Sequence, residues 1–157
     1  MKNQEILESL DTTDVMFRAL LHTLGLFKRV MESYLATFGI SGAQWAVLMI
    51  LYRSMTEGLP SLRLRDIGEH LLIRPPSVTG VIDRLQRSGL VAIQTSPADF
   101  RAKEVKLTAA GLALIERTKY AHRAKIKAIF GVLSPDEQTQ LHQMLGRIGS
   151  HLEKMEQ

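Results

Sequence analysis

The sequence predicts a mainly α-helical fold with one small β-hairpin, on three observations. Apolar residues recur at three- and four-residue steps through most of the chain. Two short strand-like stretches bracket one polar run, as a hairpin requires. The longest amphipathic stretches stand at the two ends, with shorter elements between them. The expected order is helix, helix, short strand, helix, helix, hairpin, helix, helix.

Each element has its own signal. From about Asp11 to Phe38, the residues Phe17, Leu20, Leu21, Leu24, Phe27, Met31, Tyr34 and Leu35 mark one face of a helix, and Gly39 fits its stop. Ser41-Gly42-Ala43-Gln44 reads as a capping box, with Ile40 and Trp45 as a hydrophobic staple. Trp45, Leu48, Met49 and Tyr52 continue that helix until Gly58 and Pro60. Ser61 to Leu64 alternates like a short strand, and Arg65 to Leu71 reads as a short helix. Pro75-Pro76 opens the next helix, because a first-turn amide has no intrahelical partner to lose. Val78, Val81, Ile82 and Leu85 form its buried stripe, and Gly89 ends it.

Leu90 to Ile93 and Val105 to Leu107 are the hairpin strands, with the polar tip Thr95 to Arg101 between them. Thr108 caps a long helix reaching to about Leu133. Ser134-Pro135-Asp136-Glu137 combines cap, proline and returning carboxylate to start the last one. Leu141, Met144, Leu145, Ile148, Leu152 and Met155 form its apolar stripe.

Composition narrows the function. The 157 residues, 45% apolar and 23% charged, are globular in character and long enough for a substantial core. No apolar run approaches the roughly 20 residues of a bilayer span, and Met1 to Glu5 lacks the layout of a secretory signal. A cytoplasmic location with no membrane partner is therefore expected. There is no cysteine, which removes disulfides and thiolate chemistry. The five histidines form no i, i+4 pair, so no metal site is expected. Nucleophile elbows, phosphate-binding loops and paired catalytic carboxylates are missing, so no enzyme activity and no cofactor are expected. The net charge is +4, and residues 62–107 carry eight bases against five acids. That surplus would attract an anionic polymer.

Two short helices followed by a hairpin describe a winged helix-turn-helix. Its second helix must be buried on one side yet present small and basic residues on the other, to enter a major groove about 12 Å wide. Ser77, Thr79 and Gly80 keep that approach uncluttered. Arg74 and Arg84 are long enough to reach phosphates or guanine edges, and Arg101 and Lys103 stand at or near the hairpin tip, where an arginine can enter the minor groove. Double-stranded DNA is the expected partner.

Three blocks carry a more specific signal: Leu64-Arg65-Asp66-Ile67-Gly68-Glu69-His70-Leu71, then Ser77 through Gly89-Leu90-Val91, then Asp99-Phe100-Arg101 through Thr108-Ala109-Ala110-Gly111. In this order and spacing they resemble the MarR (multiple-antibiotic-resistance regulator) family, from about Phe38 through Leu145. The resemblance implies a homodimer in which residues 1–38 and 109–157 form a helical dimerisation region and residues 39–108 the DNA-binding lobe. It implies a ligand-responsive repressor whose two recognition helices occupy successive major grooves of a pseudo-palindromic operator. Ser77, Thr79 and Gly80 would then lie near the DNA, Arg101 would be the minor-groove residue, and Asp99 would fix the wing through an ion pair.

Many members of that family bind small, often aromatic anions, so a small aromatic or phenolic effector is a further expected partner, with His22 and Trp45 as candidate pocket residues. Trp45 is read as core first and pocket wall second. Two departures stand out. Ala92-Ile93-Gln94 follows the Gly-Leu-Val turn where relatives often carry a base, and Phe100 stands where they usually have another. Phe100 is expected to pack on its own hairpin. The weakened wing also admits a rival reading, a winged-helix protein-interaction module that has lost specific DNA binding.

Overall fold

The computed structural model describes residues 11–71, 75–97 and 99–156. Its elements are α1 (Thr12–Ala36), α2 (Gly42–Thr56), β1 (Leu62–Arg63), α3 (Leu64–Leu71), α4 (Pro75–Arg87), β2 (Val91–Thr95), β3 (Lys103–Leu107), α5 (Ala109–Phe130) and α6 (Pro135–Met155). The chain divides into two compact units, the first running to Ile115 and the second from Glu116. The mainly helical architecture with a small hairpin is as the sequence predicts.

The caps account for where the helices begin. The Ser41 hydroxyl accepts from the Gln44 amide at 3.2 Å, and the Gln44 side chain accepts from the Ser41 amide at 2.8 Å. Glu32 of α1 adds its carboxylate to the same helix start, accepting from Gly42 N at 2.8 Å. Such a cap is worth about 1 kcal/mol because it satisfies amides that have no intrahelical acceptor. Ser134 and Glu137 repeat the box at α6, at 3.3 and 2.7 Å. Gly39, at φ 75°, and Gly89, at φ 70°, turn the chain out of α1 and α4 through left-handed backbone that a side chain would strain.

The core of the first unit is closed on itself. Leu35, Ile40, Trp45, Leu48, Leu51, Ile67, Val78, Ile82, Leu85, Val91, Val105 and Ile115 form one buried cluster, drawn from α1 through the first turns of α5. The sheet has the order β1-β3-β2, both pairings antiparallel, with Leu62 opposite Val105 and Ile93 opposite Val105. Val105 is thus the central residue of the sheet and is completely buried. The hairpin strands extend further than apolar pattern alone indicates, through the polar pairs Gln94–Glu104 and Thr95–Lys103. The ladder there rests on backbone hydrogen bonds, which no hydrophobic alternation reports.

One close approach ties the hairpin to the helix after it. The Thr108 hydroxyl donates to Gly89 O at 2.6 Å and accepts from Gly111 N at 3.1 Å. A Cβ at Gly111 would stand 2.1 Å from the Leu90 carbonyl oxygen, so only glycine lets the start of α5 lie against the turn after α4. In the second unit α5 and α6 are joined by a short turn, where the Gln138 side chain donates to Phe130 O at 3.2 Å and Leu133 O at 3.0 Å. No described helix is long and apolar enough to cross a membrane.

Candidate nucleic-acid interface

Helix α4 is two-faced. Val78, Ile82 and Leu85 are fully buried and Val81 is nearly so. Removing each such side chain from water contributes about 1.5–3 kcal/mol, enough to fix the rotation of the helix about its axis. That rotation leaves Ser77 and Thr79 exposed, Gly80 half-buried, and Arg84 and Arg87 exposed. Among the described residues, a Cβ on Gly80 would meet only the end of the Arg84 side chain, at 3.8 Å, so they leave the edge there open. Arg74 lies outside the described residues. Next to this edge in sequence, Arg65 on α3 is occupied by acids, with Asp66 at 3.7 Å and Glu69 at 3.5 Å.

The wing tip is a closed loop. Ser96 N donates to Ala102 O and Ala102 N to Asp99 O, each at 2.9 Å, and Arg101 N donates to the Asp99 carboxylate at 3.0 Å. Asp99 therefore shapes the tip through backbone amides. Among the described residues the Asp99 carboxylate meets the Arg101 amide and forms no ion pair. An Asx-type turn of this kind closes the carboxylate onto the backbone of its own loop. Arg101 and Lys103 are exposed.

Phe100 is 87% exposed and does not pack on the hairpin. The strand ends beneath the tip are Thr95 and Lys103, both exposed and polar, so there is no apolar floor for the ring. The two candidate effector residues have different settings. Trp45 is 5% exposed within the core cluster, and His22 is exposed on α1.

Glu104 is a participant that sequence reasoning missed. It stands on β3 opposite Arg63 on one side and Gln94 on the other, and its carboxylate accepts from the Ser61 hydroxyl at 2.7 Å. Neighbouring hydroxyls, that of Ser96 and then that of Ser61, hold the Glu104 carboxyl below its ordinary range, with smaller help from Gln94 and Arg63. Of these, the Ser61 hydroxyl makes a formed hydrogen bond, whereas the buried Ser96 hydroxyl stands near without one. No local motif could have found it, because its main partner lies 43 residues away.

A helix pair with one edge open and basic, followed by a hairpin that projects two cations, defines a winged helix-turn-helix protein. Comparison with known proteins agrees. The model of the MarR family matches residues 38–102. The uncharacterized HTH-type transcriptional regulator YkoM of Bacillus subtilis is 36% identical over 113 residues, 72% of this chain and 70% of the relative. The crystal structure of AbsC, a MarR family transcriptional regulator from Streptomyces coelicolor, superposes with a TM-score of 0.83 at 25% identity, covering 92% of this chain and 97% of that one. The structure of S. aureus MepR in complex with DNA gives 0.72 at 25% identity, covering 90% and 96%. The chain belongs to the MarR family of transcriptional regulators.

Proposed function

We propose that this protein is a sequence-specific regulator that binds double-stranded DNA as a homodimer on a pseudo-palindromic operator, most simply as a repressor. The observation that carries the reading is α4, with Val78, Ile82 and Leu85 sealed and Ser77 and Thr79 turned to solvent. Ser77, Thr79 and Gly80 enter the major groove, and Arg74 and Arg84 reach phosphates or guanine edges. Arg101 enters the minor groove, with Lys103 on the adjacent backbone and Asp99 shaping the tip. Phe100, 87% exposed, lies against a deoxyribose.

The terminal helices support the dimer. Helix α1 exposes Phe17, Leu20, Leu21 and Leu24 along its apolar stripe, and α6 exposes Met144, Leu145, Ile148 and Leu152 along its own. A crevice between α5 and α6 is lined by Ile126, Phe130, Leu141 and Leu145, a seat for apolar side chains of a second copy. Residues 1–38 and 109–157 are accordingly the dimerisation region, and residues 39–108 the DNA-binding lobe. Duplication is also what recognition needs. One helix reads few base pairs at about 1–3 kcal/mol per good bidentate contact, whereas two helices about 34–36 Å apart double the readout.

Response to a small aromatic or phenolic effector is the finer part of the reading. His22 is its accessible candidate, and Trp45, sealed in the core, becomes a contact only if the core opens. A cytoplasmic location and a non-enzymatic role follow from this function.

Titration with the DNA flanking the protein's own coding region, at two salt concentrations, tests the proposal. Specific binding that weakens steeply with salt is expected. Binding no tighter than to random duplex at low salt would return the chain to the protein-interaction reading. A thermal-shift screen with aromatic carboxylates and phenols tests the effector, which is abandoned if no compound moves either the midpoint or the DNA affinity.

A further inference from the structure

We infer that Glu104 is the positioning residue of the wing: it clamps the hairpin to the segment that enters the helix-turn-helix and so sets where Arg101 is presented. The inference rests on the DNA-binding reading above.

The connectivity makes the case. Glu104 sits one residue from the outer end of β3, in the ladder that carries the tip. Its backbone lies between Arg63 of β1 and Gln94 of β2, at one of the two positions where the short β1 pairs with β3. β1 is two residues long and continues directly into α3, the first helix of the helix-turn-helix. A two-residue ladder alone is a weak hinge. The Ser61 hydroxyl, immediately before β1, closes on the Glu104 carboxylate at 2.7 Å and adds a charge-assisted bond across that hinge.

On the other side stands Ser96, completely buried, whose amide closes the tip onto Ala102. The Glu104 carboxylate therefore joins β3 to the segment before α3, and the neighbouring Ser96 closes the base of the tip through its own amide. The role sequence assigned to Asp99 is divided as a result: Asp99 shapes the tip, and Glu104 aims it.

Amide exchange and promoter-DNA affinity are measured on the full-length protein, comparing wild type with Ser61→Ala, Glu104→Ala and Glu104→Gln, each with and without Arg101→Ala. Ser61→Ala matters most, because it cuts the link from outside the wing. Exchange at Ser96 and Ala102 is expected to accelerate about tenfold in Ser61→Ala and Glu104→Ala, while Val81 and Leu85 keep their protection. Affinity should fall about five- to twentyfold, and Glu104→Gln, whose amide oxygen still accepts from Ser61, should recover part of it. In the Arg101→Ala background these losses should vanish, since a residue that acts through Arg101 has nothing left to aim.

Unchanged exchange, or an equal loss of affinity with and without Arg101, overturns the inference. Accelerated exchange in a protein that binds no promoter DNA in any form would leave the clamp standing and overturn the DNA-binding reading instead.

Discussion

The first unit and α6 handle the same kind of residue in opposite ways. The first unit seals Val47, Leu48, Ile67, Val78, Ile82, Leu85, Val105 and Ile115 within a single chain. Helix α6 carries an equally regular apolar stripe and buries none of it. Within α1 the contrast recurs along one helix: Met31 and Leu35 are buried, whereas Phe17 to Leu24 are open. Periodicity in a sequence reports that a face will be covered and does not say by what. Where several elements of one chain supply the cover, the result is a rigid lobe with one polar edge to spare. Where they do not, the apolar face is left for another molecule.

The contrast can be broken at its strongest point. Ile82→Ala removes a fully buried side chain from the sealed cluster and should cost about 2–5 kcal/mol, read as a shift in the denaturation midpoint. A cost within experimental error would mean that the lobe is not closed as described. Leu24→Glu, on the open part of α1 where Leu24 is 45% exposed, should leave helix content unchanged and shift the sedimenting species from dimer to monomer. A dimer that persists at micromolar concentration would locate the interface elsewhere.

Two smaller effects sharpen the picture. Phe100→Lys adds a cation at the wing tip and should steepen the salt dependence of DNA binding by roughly one unit of slope, with little change in stability because the ring is 87% exposed. An unchanged slope would place the tip away from the phosphates.

The last effect concerns His122 on α5. Burial pushes its pKa below the ordinary 6.5, so the unfolded chain takes up a proton that the folded protein refuses. Stability contributed by the neutral imidazole is therefore present at neutral pH and declines as pH falls below about 6.5. The thermal midpoint should drop modestly between pH 7.5 and 5.5, and His122→Gln should flatten that drop. A midpoint that rises on acidification would contradict the assignment.

Much of this was legible in the sequence because it is local. The two capping boxes, the glycine stops and the buried stripe of α4 each depend on residues within a few positions of one another, and all stand as read. Three features depend on what the folded backbone places nearby, and these were not legible. The extra length of the hairpin strands comes from ladder bonds between polar residues. The exposure of Phe100 follows from the polar character of Thr95 and Lys103 beneath it. The link from Ser61 to Glu104 crosses most of the lobe's sequence and becomes visible only once β1 pairs with β3. The open edge of α4 was legible for a different reason: it is what remains of the helix after its apolar stripe is assigned.

Gly80 gives the most direct test of the central claim, that the open edge of α4 faces a DNA groove. Among the described residues, a Cβ at this position meets nothing nearer than the Arg84 terminus at 3.8 Å, and replacing a mid-helix glycine removes a penalty of roughly 0.5–1 kcal/mol. Measured on one preparation, Gly80→Gln should keep or raise the thermal midpoint while weakening promoter binding at least tenfold, about 1.4 kcal/mol. A variant that folds as well as wild type and binds the promoter within twofold of it would contradict the account.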